Sequence, residues 1–76
     1  MRTGYAIRMR YNAHNGWLQT RTRVDGVSVP VTIWGDEEGA MEFRHLKDAK
    51  AMLKAIRQDL RRPDKVNIID MSGRIV

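Results

Sequence analysis

The stretch from Trp17 to Trp34 contains both tryptophans of the sequence, with Arg21 and Arg23 between them, and it carries the most explicit binding chemistry in the chain. Guanidinium groups pair with phosphate or carboxylate, and indole rings stack on nucleic-acid bases. An Asp-Gly pair, Asp25-Gly26, divides this stretch into two alternating runs. Such a pair is the typical signature of a β-hairpin with a two-residue turn. The register of that hairpin decides which side chains share a face.

The two-residue turn predicts that Trp17 lies opposite Trp34 across the hairpin. The preceding run 5–11 also alternates, and matching its apolar side to the hairpin places Arg8 opposite Arg21. The face away from the core is then predicted to carry six partner-binding side chains: Arg8, Arg10, Arg21, Arg23, Trp17 and Trp34. Arginine interleaved with aromatic rings on an open sheet is typical of single-stranded nucleic-acid binding. Solvated arginines and indoles shielded by neighbouring stems are the purely structural alternative.

One amphipathic helix is predicted over residues 46–61. Its apolar stripe repeats at spacings of three and four and consists of Leu46, Ala49, Leu53, Ile56 and Leu60. A second stripe, called the basic flank below, lies about 100° round the helix and consists of Lys47, Lys50, Lys54, Arg57 and Arg61. Asp48 and Asp59 fall on the other flank. A solvated surface and a secondary anion-binding surface are the two interpretations of the basic flank.

Catalytic and metal-binding constellations are not evident. His14 and His45 have no metal-ligand spacing and no cysteine to join them, so no metal site is predicted. The carboxylates between Asp36 and Glu42 fall on a turn, where they are expected to be solvated rather than poised for acid–base chemistry. The sequence therefore predicts a non-enzymatic protein without a cofactor.

The order of patterned segments predicts an α+β fold, β-β-β-(β)-α-β, in which one helix packs on one face of a small, mostly antiparallel sheet. Residues 1–76 are expected to form a single domain. Pro30 predicts that the third strand is an edge, because proline cannot donate to a ladder. A short extra strand is expected over 40–44, with Met41 and Phe43 inward and paired to the stretch past the proline. The last strand is expected beside the first.

Composition favours an anionic partner. The chain has 76 residues, a formal net charge of +5 and a pI near 10.2, so nucleic acid, a nucleoprotein or an acidic protein surface are the expected partners. The lack of cysteine and of any long apolar run predicts a soluble, cytoplasmic protein without a membrane contact. A homodimer that buries the open edge and the indoles is a further arrangement left open.

The second half of the chain, E-F-R-H-L-K-D-A-K-A-M-L-K-A-I followed by V-N-I-I-D-M-S-G-R-I-V, resembles small bacterial and prophage domains. These domains have a phenylalanine strand, a helix opening on an acidic-alanine pair, and a last strand closing on Gly-Arg-Ile. The resemblance implies a three- or four-stranded sheet with one helix and no catalytic residues. In size and build, the chain is also similar to phage-encoded inhibitors such as anti-CRISPR proteins.

Two functions are therefore expected. The first is a non-catalytic binding module whose arginine-tryptophan sheet face engages nucleic acid or a nucleoprotein. The alternative is a phage-encoded inhibitor of a host defence protein, which would bind an acidic or nucleic-acid-binding surface of that protein.

Overall fold

The structure is a computed structural model and describes residues 4–11, 14–28, 30–59 and 65–76. Within these ranges the strands are β1 (Ala6–Tyr11), β2 (His14–Thr22), β3 (Val31–Gly35) and β4 (Val66–Ile69). One α-helix, α1 (Leu46–Gln58), and one 3-10 turn, η1 (Glu37–Gly39), complete the described elements. All strand pairs are antiparallel, in the order β3-β2-β1-β4. This arrangement confirms the predicted α+β class, the edge position of β3 and the placement of the last strand beside the first.

The core lies between α1 and one face of the sheet. The apolar stripe of the helix buries Ala49, Leu53 and Ile56, as its periodicity predicts. These side chains pack in one cluster with Ile7, Leu18, Val66 and Ile68 of the sheet. Each fully buried side chain of this size contributes about 1.5–3 kcal/mol relative to exposure, and this burial fixes which face of each strand points inward.

The helix ends at Gln58, three residues before the predicted end at Arg61. Asp59 is its C-cap, and the Asp59 N–H donates to the carbonyls of Ile56 and Arg57. An aspartate at a helix C-terminus opposes the helix dipole, and the Asp59 carboxylate instead contacts a strand, as described below. The last predicted members of the two stripes, Leu60 and Arg61, lie outside the described residues.

The Asp25-Gly26 turn forms, but the register of the hairpin differs from the prediction. The Val27 N–H donates to the Val24 carbonyl at 3.1 Å, and Gly26 has the positive φ of 83° that favours glycine. The ladder nevertheless begins only at Thr22, which pairs with Val31. Val24 and Val27 are each 44% exposed, so little burial holds the strands in register beside the turn.

A β-bulge at Gln19 changes the register again and reverses the inward and outward faces along β2. Leu18 pairs with Trp34 and Thr20 pairs with Ile33, so Gln19 is the extra residue on β2. The Gln19 side chain packs over Gly35, where any β-carbon would collide with it, and its Nε2 donates to the Asp36 carbonyl at 3.3 Å. Because one inserted residue reverses the alternation, the predicted pairing of Trp17 with Trp34 is wrong.

The pairing of β1 with β2 is also displaced from the predicted register. Arg8 lies opposite Trp17 and not opposite Arg21, because β2 begins at His14, only three positions after the end of β1 at Tyr11. Gly16 permits this arrangement, since a β-carbon there would lie 2.9 Å from the Trp34 Cβ. The shift is an even number of residues, so the inward and outward sides of β1 remain as predicted.

The segment after η1 joins the backbones of β2 and Tyr5 and does not form the predicted extra strand. The Met41 N–H donates to the Leu18 carbonyl at 2.7 Å, and Tyr5 and Phe43 exchange two backbone hydrogen bonds of 2.8 and 2.7 Å. Met41 and Phe43 pack against the core, as expected. They pair with Leu18 and Tyr5, and not with the residues that follow Pro30 as predicted. The bulge redirects the backbone of β2 toward this segment.

The last residues form a turn and a short extension on the outer edge of β4. Ile75 bridges to Ile69, and the Val76 N–H donates to the Ile68 carbonyl at 2.9 Å. The Asp70 carboxylate accepts hydrogen bonds from the Ser72 hydroxyl and from two backbone N–H groups, of Ser72 and Arg74, at 2.7–3.0 Å. These bonds place Val76 beside the end of the core cluster.

Candidate binding surfaces

The six side chains predicted to share the outer sheet face do not lie together. Arg21 and Trp34 lie on the helix side of the sheet, whereas Arg8, Arg10 and Trp17 lie on the outer side. The bulge at Gln19 explains the division, because it reverses the alternation between the two ends of β2. The predicted arginine-tryptophan face is therefore not assembled.

Arg21 is an internal partner of the helix. Its Nη2 lies 2.7 Å from the Asp59 Oδ2, and its Nη1 donates to the Thr32 hydroxyl at 3.3 Å. The Arg21 side chain is only 12% exposed. Arg21 thus neutralises the Asp59 carboxylate of the acidic helix flank, and its guanidinium group makes contacts within the fold.

The two indoles are in different environments. Trp34 is half-buried and packs against the core beside Leu18. Trp17 lies under the Arg8 guanidinium, whose Cζ is 5.2 Å from the ring centroid, a cation–π arrangement. Arg8 Nε is buried and has no hydrogen-bond partner among the described residues. One ring face of Trp17 is thus covered within the molecule, and Arg10 is the exposed arginine that remains on this side.

Arg23 lies beyond the end of β2, in the β2–β3 connection, and is exposed. It lines a groove of about 430 Å³ between this connection and the acidic flank of α1, together with Arg21, Pro30 and Asp48. Arg23 therefore lies near carboxylates of its own chain and away from Arg8 and Arg10.

The basic flank of α1, in contrast, is present as predicted over its described part. Lys47, Lys50, Lys54 and Arg57 are all exposed and span about 15 Å along the helix at 1.5 Å per residue. Lys47, Lys50 and Lys54 make no ion pair with any described residue. Arg57 is anchored, because its Nη2 donates to the Val66 carbonyl of β4 at 2.9 Å. This row is the largest cationic feature that α1 presents to solvent.

A groove, called the basic groove below, runs between the basic flank and β4. It has a volume of about 680 Å³. Its helix wall is lined by the cations Lys50, Lys54 and Arg57 together with Leu53 and Gln58, and its other wall is lined by Asn67, Ile68 and Val76. Leu53 and Ile68 are 8% and 4% exposed, and Val76 is 54% exposed. The groove therefore combines cationic side chains with an apolar floor and wall.

Sequence reasoning found the lysines of this groove but missed Ile68 and Val76. The signal for Ile68 was available, because β4 has apolar residues at positions 66 and 68 on the helix side. The contribution of Val76 depends on the turn at Asp70, which returns the chain alongside β4. No local pattern shows that this return ends beside Lys50 and Lys54.

Two further observations concern metal ligands and membrane-spanning helices. Among the described residues, no group of three or more histidine or carboxylate side chains is placed to hold a metal ion. Within the same ranges, no helix has the length and apolarity needed to cross a membrane.

The fold and these surfaces define a small α+β module in which Asp59, on the acidic flank at the end of the helix, pairs with the sheet, while the basic flank is exposed. No family model matches the chain, and no curated protein or solved structure matches it either. The resemblance of the second half to prophage domains stays a prediction.

Proposed function

We propose that this protein is a non-catalytic binding module that engages an anionic macromolecule through the basic flank of α1. The observation that supports this most is the unequal pairing of the two helix flanks. On the acidic flank, Asp59 pairs with the partly buried Arg21, whereas Lys47, Lys50 and Lys54 of the basic flank are exposed and make no ion pair with described residues.

The row of cations has an energetic cost that an anionic partner would remove. Lys50 and Lys54 are like charges four residues apart, which destabilises a helix by a few tenths of a kcal/mol, about 0.2–0.5. A polyanion that neutralises such a row also releases its condensed counterions, so binding gains free energy at low salt. The basic flank therefore suits a partner with several regularly spaced negative charges.

A second candidate function is an inhibitor that binds an acidic surface of another protein. The observation that favours it is the apolar part of the basic groove, formed by Leu53, Ile68 and Val76. Apolar contacts are typical of the centre of a protein–protein interface, whereas phosphate contacts require cations and backbone donors.

The proposal is tested with fluorescein-labelled probes, a single-stranded oligonucleotide and a glutamate-rich peptide, at about 50 and 200 mM salt. We expect at least one probe to bind, with a log–log salt slope of about −0.7 per phosphate if the oligonucleotide is the one bound. The triple variant K47E/K50E/K54E should lose this binding, because it replaces attraction with repulsion along the flank.

The matched control is R10E/R23E/R44E, which makes the same change of formal charge, from +5 to −1, at exposed arginines away from the flank. Circular dichroism verifies that both triple variants fold. If neither probe binds at the lower salt concentration, or if the control loses binding as completely as the flank variant, the proposed function is wrong.

A further inference from the structure

The basic groove is large enough to hold part of a ligand. Its volume of about 680 Å³ falls within the range of about 300–1,000 Å³ that is usual for ligand sites. Arg57 holds the two walls together through its hydrogen bond to the Val66 carbonyl. The Val76 N–H, bonded to the Ile68 carbonyl, fixes the other side. Hydrogen bonds to the backbone carbonyls of Val66 and Ile68 therefore hold the two sides of the groove.

The lining of the groove is complementary to a ligand that carries both negatively charged and apolar groups. Lys50 and Lys54 supply positive charge at the helix wall, and neither is ion-paired with a described residue. Val76 is 54% exposed, so its side chain loses contact with water when an apolar group covers it. A ligand with carboxylates alone would leave this apolar surface exposed, and one with apolar groups alone would leave the lysines unused.

The spacing of the lysines fits an extended peptide. Lys50 and Lys54 are separated by four residues, or about 6 Å along the helix axis. Alternate side chains of an extended chain are about 6.6 Å apart on the same side. Two carboxylates on one side of an extended segment can therefore each reach a lysine, while the residue between them points to the opposite side. A large apolar residue at that position is then directed away from the lysines, toward Ile68 and Val76 of the other wall.

From these observations we infer that the basic groove binds an extended acidic segment of another protein, one in which large apolar residues alternate with aspartate or glutamate. This inference rests on the proposed function, since it names the partner class of the same basic surface. Nucleic acid fits the groove less well, because no aromatic side chain among the described residues lines it to stack on a base.

A second copy of this chain is not a suitable occupant. Its own acidic segment, Asp36 to Glu38, is exposed but contains no apolar side chain. The nearest large apolar residues along the chain, Trp34 and Met41, pack against their own core. Docking of this segment would pair charges but leave the apolar lining of the groove exposed.

The experiment compares two fluorescein-labelled acidic peptides of equal length and charge at about 50 mM salt. In the first, leucine alternates with glutamate, and in the second, serine replaces every leucine. We expect the leucine peptide to bind about tenfold more tightly, because tenfold corresponds to about 1.4 kcal/mol, less than the burial of one leucine provides. A single-stranded oligonucleotide serves as the third probe.

Three variants locate the site. K54E should weaken binding of the leucine peptide about tenfold, whereas K47E, which makes the same charge change outside the groove, should weaken it about twofold or less. V76S should reduce binding of the leucine peptide about threefold and leave binding of the serine peptide unchanged. The backbone N–H of Val76 that fixes the groove is retained in V76S.

The outcomes separate the inference from the proposed function. If the oligonucleotide binds through the flank and the leucine peptide does not, the inference is wrong and the proposed function stands. Equal binding of the two peptides, or equal effects of K47E and K54E, also overturns the inference. Failure of every probe to bind overturns both. Concentration-dependent self-association at low salt that K54E abolishes would identify a second copy as the occupant and reject the peptide.

Discussion

Single residues decide which side chains reach the surface of this protein. Gln19 adds one residue to β2 between two paired positions, and the room for its side chain exists because Gly35 has no β-carbon. As a result, Trp34 joins the core and Arg21 points toward the helix. The side chains themselves are ordinary for a strand, and their faces depend on this single insertion.

The Asp70 turn gives a prediction at the same scale. The hydrogen bond from the Ser72 hydroxyl, with those from the backbone N–H groups of Arg74 and Ser72, lowers the pKa of Asp70 from its usual value of 3.8. Because the pKa is lower in the folded state, the stabilisation is present above pH 3.8 and is lost as the pH falls through the folded pKa. In a carboxyl NMR titration we expect the Asp70 midpoint below 3.8, and in S72A a higher midpoint than in the parent chain. An unchanged midpoint in S72A would show that the hydroxyl contributes nothing.

At the level of secondary-structure elements, the two flanks of α1 face different parts of the sheet and make different contacts with it. The acidic flank faces the β2–β3 side of the sheet, where Asp59 pairs with Arg21. The basic flank faces β4, where only Arg57 is anchored to the strand by a described hydrogen bond. Beside the core packing, a described ion pair on one side and a described hydrogen bond on the other join the helix region to the sheet. This leaves the remaining cations available to a partner.

The Arg21–Asp59 contact predicts a measurable coupling between β2 and α1. In a double-mutant cycle with R21M and D59N, we expect a coupling of about 0.5–1 kcal/mol in the free energy of unfolding, because the pair is only partly exposed to solvent. Urea denaturation measures each variant. The same cycle with D48N in place of D59N is the control. Asp48 lies on the same flank but has no ion pair with a described residue, so its coupling to Arg21 should be below about 0.3 kcal/mol.

For the whole molecule, stability and binding place opposite demands on the basic flank. The like charges at Lys50 and Lys54 weaken the helix slightly, and nothing in the described fold uses them. A surface that carries such a cost is typical of a functional site, where stability and activity are commonly in conflict.

This conflict gives a third prediction. K50E replaces the repulsion between Lys50 and Lys54 with attraction between a glutamate and Lys54 four residues later. We therefore expect the free energy of unfolding to rise by about 0.5–1 kcal/mol. The same variant should bind the anionic probes more weakly. Urea denaturation and fluorescence anisotropy measure the two effects on one preparation. A variant that is both less stable and fully active would contradict the assignment of Lys50 to the binding surface.

The sequence by itself determined the elements whose signals are local. The spacing of Ala49, Leu53 and Ile56 defines the buried stripe of α1, and the Asp25-Gly26 pair defines a turn, because both depend on backbone periodicity or on the conformations that a few adjacent residues can adopt. The proline before β3 marked the edge strand for the same reason. The basic flank was predictable because it lies on one helix, over which 3.6 residues per turn fix the positions of the lysines.

Only the tertiary structure decided the register of the strands and the existence of the groove. Register depends on the burial gained when whole strands pack across a sheet, and the contacts that select it here, Gly16 with Trp34 and Gln19 with Gly35, join residues about 16 to 18 positions apart. The basic groove likewise requires α1, β4 and the turn at Asp70 to meet. A one-residue bulge costs little in local energy and reverses an entire face, so the alternating pattern could not show that Arg21 and Trp34 lie on the side of the helix.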